Sequence, residues 1–251
     1  MANTSEKWLE KAISDGHINF LEYNKFTVLA KIGNGGFGDV LKCEWKENEL
    51  TVALKCLRIN TSLDETIEDF IKELKLLNKI QSHQNVIAFH GVTKDNDGQY
   101  NMVLEYANEG TLQEYLKVNS NHLQWIDKSR IAKEISHGLL FLHNNNIIYR
   151  DLHSKNILIH QQKPKIADFG LSKQINETSM TSNSKVYGMP AYVEPQCFSN
   201  TGYKRDKKSD VYSFGVILWE ISSGKPPFQS VDSMFIHIHI LNGNRETPKE
   251  G

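Results

Sequence analysis

The residues with chemistry to offer fall in order along the chain. Gly33, Gly35 and Gly38 form Gly-x-Gly-x-x-Gly within "IGNGGFGDV", and glycines let backbone amides approach anionic oxygens because no Cβ intervenes. That pattern alone is weak, since dinucleotide folds and ordinary turns share it. Its flank is more telling: "DVLKCEW" continues as a strand instead of opening a helix, so the turn folds over phosphates from between two strands. Lys55 follows in "VALK", seventeen residues after Gly38. The apolar Val52, Ala53 and Leu54 beside it favour a cleft cation that reaches phosphates over a solvated surface lysine. Glu73 sits among Leu74 and Leu77, in register to turn inward as the carboxylate partner of Lys55, although Glu65, Glu68 and Asp69 share its helix. In "YRDLHSKN", Asp151 and Asn156 lie five residues apart. A polar turn in a β-hairpin is the plain reading of that stretch, and it leaves the five-residue spacing unexplained. Asp168, seventeen residues after Asp151 in "ADFGLSK", adds a carboxylate of the kind that binds magnesium. As an isolated residue it reads equally as a turn Asp before Gly170. The ordered series is not plausibly accidental.

Such groups need rigid elements to hold them. From Phe26 to Leu57, "FTVLAKIG", "GDVLKCEW" and "TVALKCL" read as three antiparallel strands. The stretch "LDETIEDFIKELKLLNKI" places Ile67, Phe70, Ile71, Leu74, Leu77 and Ile80 on one helical stripe, with acids early and lysines late. "NVIAFHGV" and "YNMVLEYA" complete a five-stranded sheet with one helix. After Gly110 the pattern becomes helical, with "TLQEYLKV" and then "SRIAKEISHGLLFLHNN", so composition divides the chain into two lobes. "ILIHQQKPKIAD" reads as a tight hairpin, and residues 175–187 as a polar flexible loop. "DVYSFGVILWEIS" is apolar all round, which predicts a helix buried on every side. Residues 1–21 form an amphipathic extension, whose Trp8, Leu9, Ala12 and Ile13 predict a short helix docked by its Trp8 face and stopped at Gly16.

Composition narrows the function classes. Twenty-nine Lys and Arg balance 30 Asp and Glu in 251 residues, so no overall charge draws the chain to nucleic acid or an anionic membrane. No apolar run is long enough to span a bilayer, and the charged N-terminus is unlike a signal peptide. Cys43, Cys56 and Cys197 are widely spaced, without zinc-ligand spacing, which implies a reducing setting, cytoplasmic or nuclear, with cytoplasmic the reading adopted. His237 and His239, two apart on a helix, point to different faces and do not suit a metal.

Taken with "SDVYSFGVILWE" and "GKPPF", the motif series resembles the eukaryotic protein kinase superfamily, tyrosine-kinase-like group, over residues 26 to about 245. The resemblance implies an α+β, bilobal kinase fold, with an N-lobe at 26–106 and a C-lobe at 107–251. It implies ATP and Mg²⁺ as cofactors, protein substrates and an activating kinase. Ile32, Gly33, Asn34, Gly35, Gly36, Phe37 and Gly38 would cover the nucleotide. Val40, Ala53 and Leu158 would sandwich adenine, with Leu104 as gatekeeper and Glu105 to Ala107 as the hinge. Lys55 and Glu73 would position phosphates, Asp151 would act on the substrate hydroxyl, and Lys155 would neutralise the γ-phosphate. Asn156 and Asp168 would bind metal, and Asp210 would brace the catalytic loop.

The chain also departs from that pattern. Tyr149 stands where the family usually has His; its aromatic ring and donor predict that the stack with Phe169, Leu77 and Phe89 survives. Met189 and Gln196 replace the usual Thr and Glu of the following segment, and Gln196 cannot form the usual ion pair with a late arginine. The sequence stops at "NRETPKEG", which reads as a truncated C-lobe whose bare helix needs a C-terminal extension or a partner to cover it. "DLHSKN" lacks the Lys that Ser/Thr kinases often place two residues after the catalytic Asp, whereas "MPAYVEP" is Ser/Thr-like, so Ser/Thr is the favoured acceptor over Tyr. Ser179, Thr181, Ser182, Ser184 and Tyr187 are candidate phosphosites that could pair with Arg150. The rival reading is a nucleotide-binding pseudokinase scaffold that acts by protein contacts without catalysis.

Overall fold

The computed structural model describes residues 4–34, 38–57, 64–80, 82–175, 188–200 and 202–248. Gly35, Gly36, Phe37 and all five candidate phosphosites therefore lie outside the described residues. The chain divides into two units, Met1–His83 with Ile87–Tyr106, and Gln84–Val86 with Ala107–Gly251.

In the first unit, helix α1 (Thr4–Ser14) precedes strands β1 (Phe26–Asn34), β2 (Asp39–Trp45) and β3 (Leu50–Cys56), then helix α2 (Asp64–Lys79), β4 (Phe89–Lys94) and β5 (Tyr100–Glu105). The strands form one antiparallel sheet in the order β1-β2-β3-β5-β4. Phe26, Cys43, Trp45, Val52, Leu54 and Val103 build one core against it. Successive residues Val52 to Lys55 are all buried, so β3 is covered on both faces, as its unbroken apolar run requires. On α2, Phe70, Ile71, Leu74 and Leu77 are buried, as the stripe predicts, and so is Glu73. The reading of "NVIAFHGV" as one strand needs correction. β4 begins at Phe89, while Asn85 and Val86 belong to the second unit, where Asn85 Nδ2 donates to Pro164 O at 3.1 Å and Val86 bridges Ile166.

The second unit is mainly helical: α3 (Leu112–Asn119), α4 (Trp125–Asn144), α5 (Gln196–Ser199), α6 (Lys207–Ser223) and α7 (Ile236–Leu241). Four short strands, β6 (Ile147–Ile148), β7 (Ile157–His160), β8 (Lys163–Ile166) and β9 (Lys173–Gln174), form two ladders. The β7–β8 hairpin closes through Gln161 and Gln162, both left-handed at φ 48° and 61°, the backbone of the commonest two-residue hairpin turn. β6 pairs with β9 instead of β7, so the stretch around Asp151 is not a hairpin turn. It is a loop between two ladders.

α6 is not buried on every side, and part of its apolar surface is bare, as expected for a helix short of cover. Its buried face is Ser209, Asp210, Ser213, Ile217, Glu220 and Ile221, whereas Val211 is 57% and Leu218 40% exposed. α4 covers one side of α6; α7 packs on the turn at Pro190–Tyr192 and on α5. His237 of α7 meets Phe198 at a tilt and His239 meets Phe228 edge-on, at 5.8 and 5.7 Å between centroids. Among the described residues no helix is long and apolar enough to cross a membrane.

Candidate active site

Cross-strand register sets the first cluster. Val40 pairs with Gly33 on one side and Lys55 on the other, and Ala53 pairs with Leu104. Ala53 is buried, Val40 half-buried and Ile32 exposed. Lys55 Nζ lies 2.8 and 2.9 Å from the two carboxylate oxygens of Glu73, with both side chains buried. Sequence register therefore placed Glu73 correctly. Glu105 is fixed by Ala88: its N–H donates to Ala88 O at 2.9 Å, and its carboxylate accepts from Ala88 N at 3.2 Å.

The second unit holds the other cluster. Asn156 Nδ2 donates to Asp151 Oδ2 at 3.0 Å and to Asp151 O at 3.1 Å, which anchors the carboxylate and leaves Oδ1 of the amide as an acceptor. His153 Nε2 lies 3.6 Å from Asp151 Oδ1, an ion-pair distance when the imidazole is protonated. Gly188, at φ +105°, runs so close that a Cβ there would stand 3.1 Å from Asp151 Oδ1, a position that calls for glycine. Lys155 is exposed and Leu158 half-buried. Leu158 bridges Thr111 across an isolated pairing, and Thr111 with Glu114 forms a capping box at the start of α3. The Thr111 N–H and hydroxyl, with a contribution from Lys155, hold the Glu114 carboxyl below its ordinary range.

Two non-glycine residues of this cluster are left-handed, Arg150 at φ 72° and Asp168 at φ 57°. Such residues cost on the order of 1–3 kcal/mol each and persist only where their surroundings over-determine them. Here they do. Arg150 N donates to Asp210 Oδ1 at 2.8 Å and Arg150 O accepts from Arg205 Nη1 at 2.7 Å. The carbonyls of Ala167 and Asp168 both receive the Tyr149 hydroxyl, at 2.9 Å for Asp168. The Tyr149 ring meets Phe169 edge-on at 5.4 Å, so the replacement for the usual His keeps both an aromatic contact and a donor. Asp210 is 1% exposed and also accepts from Tyr149 N at 2.9 Å, with His143 Nε2 at 2.8 Å. Because an ionised carboxylate can only accept, that His143 nitrogen carries the proton.

Several of these residues were missed in the sequence. Glu220 accepts from Ser154 Oγ at 2.8 Å and Tyr192 OH at 2.7 Å, tying α6 to the loop and to the turn at Pro190–Tyr192. Burial raises its carboxyl above the ordinary range and, with Glu220 beside it, raises the Tyr192 phenol. Glu194, two residues before Gln196, takes 2.7 Å bonds from Tyr203 OH and Ser209 Oγ, so this segment does carry a structural carboxylate. A lone acid in "FGVILWEIS" was the available signal for Glu220; nothing local marks His143 or Glu194.

The donors of the second cluster suit a hard cation: an amide oxygen at Asn156 and a carboxylate at Asp168. Among the described residues no group of three or more His, Cys, Asp or Glu is placed to hold a metal. That donor number fits Mg²⁺, which is commonly held by one or two protein oxygens together with phosphates and water.

A family model described as protein tyrosine and serine/threonine kinase matches residues 26–251. The chain belongs to this protein kinase family. Its α+β fold is accordingly the bilobal kinase fold, with a five-stranded antiparallel sheet in the N-lobe. The kinase domain is 34% identical over 233 residues to the serine/threonine-protein kinase VIK of Arabidopsis thaliana, covering 88% of this chain and 51% of that protein. It is 30% identical over 225 residues to serine/threonine-protein kinase 4 homolog A of Dictyostelium discoideum, covering 89% and 47%. With the dual specificity testis-specific protein kinase 2 of Homo sapiens it shares 37% identity over 196 residues, covering 76% and 33%. The kinase domain thus spans about half the length of these relatives, or less.

Proposed function

We propose that this chain transfers the γ-phosphoryl group of ATP to protein hydroxyls, with Ser and Thr favoured over Tyr. The observation that carries the reading is the two-pronged Lys55–Glu73 contact. Burying an ion pair rarely improves stability over a well-packed apolar pair, so its presence is better explained by a need for a fixed cation. Lys55 holds phosphate oxygens, and Gly33 to Gly38 cover them. Val40, Ala53 and Leu158 flank the adenine, and the backbone of Glu105 and Ala107 pairs with its edge. Asn156 and Asp168 hold Mg²⁺, which when bound neutralises charge on the phosphates. Asp151, anchored by Asn156, orients the acceptor hydroxyl and takes its proton as the new P–O bond forms and the bond to ADP breaks. Lys155 offsets negative charge on the transferred group. Names of the relatives support the Ser/Thr preference.

The same reading divides the chain into an extension at 1–21, an N-lobe at 26–106 and a C-lobe at 107–251. It also includes an activating kinase. Burial, and then the neighbouring Arg205, lower the Arg150 guanidinium from its ordinary value, and a phosphate on the loop before Gly188 would relieve that crowding. Free cysteines at 43, 56 and 197 suit a cytoplasmic setting. The test is label transfer from γ-labelled ATP to a protein-derived peptide library, with Asp151→Asn as control. Labelling of Ser and Thr peptides that disappears in the control is expected. Nucleotide binding without transfer in the parent would favour the scaffold reading instead.

A further inference from the structure

Residues 4–22 lie outside the part of the chain that the kinase family model matches, yet they are bound to the first unit at three places. On α1, Leu9 is 1% and Ala12 6% exposed, and the helix packs against α2. Lys75 of α2 lies over the Trp8 ring at 4.2 Å, and Asn78 Nδ2 of α2 donates to His17 O at 2.9 Å. Gly16, left-handed at φ 71°, ends α1 and turns the chain toward the sheet.

The next contact is with β4, the edge strand. Val92 N donates to Asn19 O and Leu21 N to Val92 O, each at 2.8 Å, so Asn19 to Leu21 pair with β4 and satisfy backbone groups that an edge strand otherwise exposes. Gly91, at φ +147°, makes this approach possible: a Cβ there would stand 2.4 Å from Asn19 O. Leu21 then packs on the core formed by Phe26, Trp45 and Val103.

These contacts close a circuit. α2 is joined to the sheet through Glu73 and Lys55 of β3 and through its own buried stripe, which packs toward β4, and it is tied to β4 a further time through α1 and the 17–21 segment. We infer that the 4–21 segment is a positioning clamp: it fixes α2 against the sheet and so keeps Glu73 on Lys55. Trp8, Leu9 and Asn19 to Leu21 act through α2 and touch no reacting atom. This inference rests on the reading of Lys55 and Glu73 as phosphate-positioning groups.

The test uses the full chain with Leu9→Glu, and two milder truncations, Leu9→Ala and Trp8→Ala. Hydrogen exchange of α2 amides is measured beside that of β1 to β3, together with labelling of the Lys55 amine by an amine-reactive reagent and kcat and KM for ATP. Burial of one leucine corresponds to about a 10- to 100-fold change in the equilibrium for local opening. Faster exchange of that order in residues 70–79, higher Lys55 labelling and a lower kcat, with β1 to β3 unchanged, are expected. Parent-like α2 exchange and Lys55 labelling would overturn the clamp, as would equal loosening of β1 to β3 in the mild variants. Loosened α2 and reactive Lys55 with undiminished transfer would leave the clamp standing and remove the catalytic reading of the pair.

Discussion

Replacing Lys55 by Met removes the cation and leaves Glu73, 2% exposed, buried without it. Taking away one partner of a buried ion pair costs about 3–5 kcal/mol, because the remaining charge keeps its desolvation penalty. In a unit of this size that lowers the melting temperature by about 10 °C or more. The double variant Lys55→Met with Glu73→Leu removes both charges and should return to within about 1 kcal/mol of the parent. Phosphoryl transfer should stay low in both. Urea unfolding of the three proteins near neutral pH, paired with label transfer, separates stability from positioning. If Lys55→Met unfolds like the parent at neutral pH, or the double variant is as weak as the single one, the buried-pair reasoning is wrong.

Asp151→Asn should cut transfer by about 10² to 10⁴-fold with little change in melting, if the carboxylate handles the hydroxyl proton; steady-state kinetics beside a thermal melt check this. Tyr149→Phe removes the donor to the carbonyls of Ala167 and Asp168 and should cost about 1–3 kcal/mol in urea unfolding. Tyr149→His, which keeps a ring and a donor, should retain transfer. For Glu220, burial raises the folded carboxyl above its unfolded value, so the stability it contributes is full below the ordinary carboxylate range and lost as pH rises through the raised value. Glu220→Gln should therefore gain on the parent as pH rises above the ordinary carboxylate range, and a stability difference that stays constant as pH rises would count against the assignment.

What was legible in the sequence is what depends on local spacing. Register along one helix located Glu73, a five-residue interval linked Asn156 to Asp151, and two apolar runs close together in "ILIHQQKPKIAD" read as the β7–β8 hairpin. Glu194 and His143 were not legible, and Glu220 showed only as a lone acid in an apolar run, because their roles depend on partners distant in sequence, such as Asp210 for His143, 67 residues on, and Ser154 for Glu220, 66 residues back. "NVIAFHGV" failed for a related reason: hydrophobic alternation reports that residues are buried, not which unit buries them. Gly91 was passed over, since only the approach of Asn19 gives it a reason.

Helix α6 turns hydrogen-bonding side chains inward, with Ser209, Asp210, Ser213 and Glu220 buried and Val211 and Leu218 outward. At these positions mutational tolerance should be inverted with respect to hydropathy. In a saturation library, Val211 and Leu218 should accept lysine or glutamate and yield more soluble protein, while Ser213→Ala, conservative by any substitution table, deprives Tyr192 O of its 2.7 Å donor and should be depleted. Sequence design that rewards apolar interiors would select against the very groups that tie this helix to its neighbours.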